Sequence, residues 1–192
     1  MKKIIFFITL FFIITACSSL KKMERKCKEN PFEELDSLQS TLKEINYKVS
    51  IPKKWKSYSK GSIALYLTNK NKDSINYFDF IAHILIYSNK LNNKCKNTQD
   101  IEAFLSYRLK HINMFYSKDF KYILLETNHK KYGKGYIIKY KRRLNNKIIS
   151  YSELILFHNN YGYGFNFFAE TEIFQKHLST FEKVINSFEI LE

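Results

Sequence analysis

The sequence predicts an α+β fold: an antiparallel sheet of about six or seven strands flanked by helices, an α-β-α sandwich. Three observations point there. Residues 122–169 hold four alternating apolar stretches separated by polar turns, the pattern of a meander. Three other stretches repeat apolar residues at helical spacing, before, between and after the strands. These helices are segregated from the meander and do not alternate with single strands, so a parallel sheet is not expected. The 192 residues are 45% apolar and 17% aromatic, with five glycines and two prolines. That composition suits one domain with a core and excludes collagen-like and loop-dominated classes.

The chain opens with Lys2 and Lys3, then apolar residues 4–16. As a helix this run spans only about 20 Å, against about 30 Å of bilayer core. With Ala16 before Cys17, residues 1–16 read as a cleavable secretory signal peptide. Ile14, Thr15, Ala16 and Cys17 resemble the lipobox of bacterial lipoproteins. In that family the cysteine thiol takes diacylglycerol, the signal is cut before it, and the new amine is acylated. Ile14 stands where leucine is commonest. The resemblance implies lipidation at Cys17, with acyl chains such as palmitate. Several chains anchor stably at about 0.8 kcal/mol per buried methylene. Ser18 follows the cysteine. In sorting systems where aspartate there retains lipoproteins at the inner membrane, this implies outer-membrane delivery, facing the periplasm of a bacterial cell envelope. Residues 17–29 are polar and basic and read as a lipidated tether near an anionic surface.

Residues 30–192 form the single globular domain. Asn30 as N-cap, Pro31 at the first helical position and Glu33 predict a first helix, with Phe32, Leu35, Leu38, Leu42 and Ile45 on its apolar face. Tyr47, Val49 and Ile51 alternate with polar residues as in a half-buried strand, Pro52 ends it, and Lys53, Lys54 and Trp55 turn. A short strand is expected at 62–68 and a polar loop at 69–76. The strand at 77–87 is apolar on both faces, hence central and covered on both sides. A polar loop at 88–97 precedes a helix at 98–116, with Ile101, Phe104, Leu105, Leu109, Ile112 and Phe115 as its stripe. Meander strands follow at 122–128, 135–142, 147–157 and 162–169. The pairs Asn145, Asn146 and Asn159, Asn160 suit tight turns because asparagine tolerates positive φ. A last helix starts after Thr171 as N-cap and turns Phe174, Leu178, Phe181, Val184, Ile185 and Phe188 inward.

Two segments carry a family resemblance. Residues 47–55, YKVSIPKKW, match "y-x-v-x-i-P-x-x-W", and residues 185–188, INSF, match "i-x-S-F" in a terminal helix. The chain thus resembles the PsbP-like fold, and envelope lipoproteins of the DcrB type within it, over about residues 45–190. Many members have glycine before the tryptophan, where this chain has Lys54. The resemblance implies the α-β-α sandwich and a protein-binding role more than catalysis. It carries over no binding residues, so the ligand site is unknown.

The formal charge of +14 falls to +12 without Lys2 and Lys3 of the signal. Such a surface favours anionic partners, or simply solvates the domain. Export argues against nucleic acid. In an oxidising compartment Cys27 and Cys95 read as a disulfide, with free thiols as the alternative. His83, His111, His129, His158 and His177 show no metal spacing, so no catalytic or metal site is expected, and no cofactor. His177 is expected to pack beside the apolar face of the last helix, which carries it. Gly133 with Gly135, and Gly162 with Gly164, open no helix; they read as turn and strand glycines where backbones approach. Tyr161, Tyr163, Phe165 and Phe167, grouped with Tyr136, Ile138 and Tyr140, read either as core or as a stacking platform for a sugar or a base. Glu126, Glu153 and Glu170 are placed near strand ends, with no two paired. The leading reading is a membrane-anchored envelope lipoprotein, not an enzyme, with an accessory domain that binds an envelope protein. The alternatives are a glycan-binding or hydrolytic protein using the aromatic face, and a toxin-neutralising immunity lipoprotein.

Overall fold

A computed structural model describes residues 32, 44–59, 63–68, 80–92, 100–115, 121–144 and 146–191. Its elements are β1 (Tyr47–Lys48), β2 (Lys56–Ser59), β3 (Ile63–Thr68), β4 (Phe80–Lys90), α1 (Ile101–Phe115), β5 (Tyr122–His129), β6 (Gly133–Leu144), β7 (Lys147–His158), β8 (Tyr161–Glu170), α2 (Thr171–Ser187) and β9 (Glu189–Ile190). Cys17, Cys27, Cys95, the lipobox and most of the expected first helix lie outside the described residues.

The expected α+β class holds. Seven strands form one sheet in the order β2-β3-β4-β8-β7-β6-β5, and every neighbouring pair is antiparallel. The chain leaves the sheet after β4, runs through α1, re-enters at the far edge as β5 and meanders back to β8 beside β4. Helix α2 packs on β8, β7 and β4, while α1 packs on β7 and β6. One face of the sheet buries Ile84, Ile86, Leu154, Phe165 and Phe167 with Phe181, Val184 and Ile185 of α2. The other buries Tyr87, Tyr136 and Ile155 with Phe104 and Tyr107 of α1.

The meander agrees with its sequence. Asn146 (φ 63°), Asn159 (φ 48°) and Asn160 (φ 66°) adopt the left-handed backbone that two-residue hairpin turns require. Strand β4 is central and covered on both faces. It runs past the expected end at Tyr87, because Ser88, Asn89 and Lys90 pair with Tyr163, Gly162 and Tyr161. The ladder to β8 outweighs their polar side chains, and Ser88 and Asn89 are buried. Strand β2 was not expected, since its KSYS lacks an apolar alternation.

Both helix starts differ from expectation. Asp100 accepts the Ala103 N–H at 2.7 Å and caps α1, which starts at Ile101, three residues later than foreseen. Thr171 is the first residue of α2 and not its cap. Its hydroxyl donates instead to the Ile148 carbonyl at 2.9 Å and meets the Ser150 hydroxyl, tying α2 to β7. Phe32, expected in the first helix, forms an isolated bridge with Leu91 and packs against Phe104 and Tyr107.

The two segments that carry the family resemblance meet in space. Strand β1 pairs with β9, placing Tyr47 opposite Ile190. The Ser50 N–H donates to Ser187 Oγ at 3.0 Å, and Tyr47 stacks on Phe188 with ring centroids 5.9 Å apart. Phe188 is buried against Phe165 and Tyr163. Ile51, expected to be half-buried, is 50% exposed because β1 stops at Lys48. Beyond it the Trp55 N–H donates to the Pro52 carbonyl at 3.0 Å, closing the turn that sends Trp55 into the core.

Lys54 occupies this turn at φ 71°. A side chain costs about 1 kcal/mol of steric strain there and glycine none. Lys54→Gly is therefore expected to stabilise the domain by about 1 kcal/mol. Urea unfolding reads this as a higher midpoint at unchanged slope. A lower midpoint would show that the lysine contributes more than its backbone strain removes.

Candidate functional site

The strongest concentration of polar chemistry lies between the sheet and α1. Glu153 sits in the middle of β7, not near a strand end, and is 0% exposed. Its alternation with Tyr151 and Ile155 points it at α1. There Arg108 Nε donates to Glu153 Oε1 at 2.9 Å. The Tyr87 hydroxyl donates to the same oxygen. The guanidinium also lies over the Tyr87 ring, 4.8 Å from its centroid.

Tyr87 is on β4 and Glu153 on β7, with β8 between them. The phenol bridges that strand by lying across Gly164, where a Cβ would stand 2.0 Å from the Tyr87 Cζ. Gly162 makes the same concession to Phe104, at 2.4 Å. These glycines do mark close approaches, but aromatic rings approach them and not a second backbone. Gly133, at φ 75°, is a turn residue as expected. Lys134 beside it is held by Glu102 of α1 at 2.7 Å.

The electrostatics of the trio balance. Burial works against the Arg108 charge, but the Glu153 carboxylate outweighs it and pushes the guanidinium pKa up. Burial also raises the Tyr87 phenol, opposed by Arg108 and reinforced by Glu153, so the hydroxyl stays a neutral donor. One anion, one cation and one neutral donor meet here, with Glu153 fully buried and the Arg108 side chain 18% exposed. The other carboxylate oxygen, Glu153 Oε2, and the Asn166 Oδ1 opposite on β8 are buried without a hydrogen-bond partner among the described residues. An unmet buried acceptor costs about 1–3 kcal/mol, so this centre draws on the surrounding packing for its stability. A general acid or base must reach a substrate, and an enclosed Glu153 presents neither a proton nor a lone pair to solvent.

The remaining expected residues fall elsewhere. Each histidine sits beside an aromatic ring: His83 with Phe168, His111 with Tyr107, His129 and His158 with Tyr132, and His177 with Trp55. Among the described residues no three metal-ligating side chains cluster. The expected aromatic face divides in two. Tyr136, Ile138 and Tyr140 pair with Ile155, Glu153 and Tyr151, whereas Phe165 pairs with Leu154, so the groups lie on opposite faces of the sheet. Tyr163 and Phe165 are 2% and 1% exposed, which removes the stacking platform. Glu126 is exposed on β5, and Glu170 ends β8 paired with Lys147.

Two measurements probe the interior. Arg108→Met leaves Glu153 enclosed and uncompensated, an expected loss of about 3–5 kcal/mol. The double variant Arg108→Met with Glu153→Leu is expected to recover most of that loss in urea unfolding. An equally unstable double variant would mean that Arg108 acts by packing alone. Separately, burial holds the His83 imidazole at about 4, below its ordinary 6.5. As pH falls the unfolded chain takes the proton first. Stability is full above about pH 6.5 and drops by about 3 kcal/mol on the way to about pH 4. His83→Leu should flatten that segment of the profile; an undiminished slope would assign it to other groups.

No family model and no curated protein matches the chain. Solved structures do. The chain is similar to LpqN of Mycobacterium tuberculosis, a protein involved in cell envelope biogenesis, at 11% identity over 76% of this chain and 83% of LpqN, with a TM-score of 0.53. A Bacteroides thetaiotaomicron protein matches at 16% identity over 76% of this chain, with a TM-score of 0.46, and the chain spans 45% of that protein's length. CyanoP, the cyanobacterial PsbP of Synechocystis, matches at 10% identity over 84% of this chain and all of CyanoP (100%), with a TM-score of 0.44. At such identities the likeness is one of fold, and the chain shares the α+β architecture of LpqN.

Proposed function

We propose that this chain is a lipid-anchored protein of a bacterial cell envelope, and that its folded domain is a non-catalytic accessory module that binds another envelope protein. The enclosure of Glu153 carries the non-catalytic half of this reading. The most reactive set of side chains among the described residues is spent on holding β4, β7 and α1 together. The anchored half rests on residues 1–17, with acylated Cys17 as the attachment point and outer-membrane delivery following from Ser18. A fold shared with a protein of cell envelope biogenesis is in keeping with that setting. Cys27 and Cys95 then face an oxidising compartment and pair as a disulfide, tying the end of the tether to the segment before α1.

Mass spectrometry of the protein from bacterial membranes tests the anchor. The N-terminal peptide is expected to begin at an acylated Cys17, and Cys17→Ala to abolish acylation and leave the precursor uncleaved. An unmodified thiol at residue 17 would sink the anchored reading. Cross-linking in intact envelopes tests the accessory role: a discrete protein adduct is expected, whereas turnover of an envelope substrate by the purified domain would overturn it.

A further inference from the structure

The two edges of the sheet are unlike. Strand β2 is short and carries Lys56, a protected edge. Strand β5 is eight residues long and pairs with β6 in unbroken register from Tyr122–Tyr140 to His129–Gly133. Four successive apolar residues on it are exposed: Tyr122 by 40%, Ile123 by 61%, Leu124 by 39% and Leu125 by 42%. Successive residues point to opposite faces, so apolar surface is presented above and below one strand edge. Among the described residues no strand pairs the outer side of β5, so a row of outward backbone N–H and C=O groups lies between the two apolar surfaces.

On the face shared with Ile123 and Leu125, β6 presents Lys139, Lys141 and Arg143 at alternate positions. No described acid pairs with any of the three. Helix α2 covers β4, β8 and β7 and leaves this outer part of the sheet open.

We propose that β5 is the docking edge, and that its occupant is an extended, acidic segment of a partner protein that adds as a further antiparallel strand. Only a strand meets all three features at once. It pairs the backbone row, covers apolar side chains on both faces, and brings carboxylates within reach of the lysines and arginine across one strand. A bilayer satisfies the apolar residues and the cations but leaves the backbone groups unpaired in lipid, at several kcal/mol each. A second copy brings the same cations and matches poorly. Paired over its full length, antiparallel self-association sets Tyr122, Ile123, Leu124 and Leu125 opposite Glu126, Thr127, Asn128 and His129. The proposal rests on the protein-binding reading above and specifies the chemistry of the partner.

The test uses the full-length chain in neutral detergent and a ten-residue peptide of alternating valine and glutamate. Calorimetry is expected to show binding, with amide-exchange protection gained at residues 122–129. A valine–lysine peptide is expected not to bind. Ile123→Glu with Leu125→Glu should weaken the acidic peptide at least tenfold while the thermal midpoint holds, and Lys139→Glu with Lys141→Glu should do the same independently. Equal binding of both peptides, protection elsewhere than β5, sedimentation of a β5-dependent dimer, or displacement of the peptide by phosphatidylglycerol added to the detergent micelles would each overturn the proposal. The assay needs neither Cys17 acylation nor an identified partner. A negative envelope cross-link with positive peptide binding therefore fails the accessory reading and leaves the edge intact.

Discussion

A carboxylate enclosed in a sheet dictates much of what surrounds it. Glu153 is fully buried, so a cation and a donor must be brought to it from other elements. Arg108 fixes the rotation and depth of α1 over β7, because the guanidinium must reach one oxygen. Tyr87 fixes the register of β4 against β8, because its ring must cross the intervening strand where glycine stands. The same slot in β8 admits Phe104 at Gly162. An apolar residue at 153 would leave α1 free to settle by packing alone; the buried charge permits one placement.

The opposite face is held differently. There α2 presses a continuous apolar stripe on β4, β7 and β8, and Phe188 continues that contact past the end of the helix. The residues that carry the family resemblance serve this face. Ser187 and Phe188 receive Ser50 and Tyr47, and the turn after Pro52 directs Trp55 beneath α2, beside His177. Two segments distant in the sequence thus make one joint.

What could be read from the sequence follows from how local its physics is. The turns at Asn146 and Asn159–Asn160 were legible because positive φ is a property of the residue itself. The inward face of α2 was legible because helical spacing is set within a few turns. Strand β2 has neither signal and is specified by its neighbour. The buried trio was missed because each member looks ordinary alone. Signals for it were present: Glu153 stands in a strand apolar on both faces, Arg108 falls four residues after Phe104 on the buried stripe of α1, and glycines alternate along β8. Only the register, which places Tyr87 opposite Gly164 and Glu153 opposite Asn166, joins them. The aromatic grouping failed for the same reason, since alternation within a strand does not reveal which face of the next strand it joins.

The joint between β1 and β9 has a consequence in time. Asn46 accepts the Leu191 N–H at 2.8 Å, so the contact spans almost the whole domain. Synthesis delivers a chain from its N-terminal end. Residues 44–55 therefore emerge early and wait, their partner strand and the floor for Trp55 still undelivered. The meander can close hairpin by hairpin as it appears, but the last side of the core is sealed only when the final residues arrive. A chain stalled short of residue 188 exposes Tyr47 and Phe165 together, an apolar opening that quality-control proteases and chaperones are built to recognise.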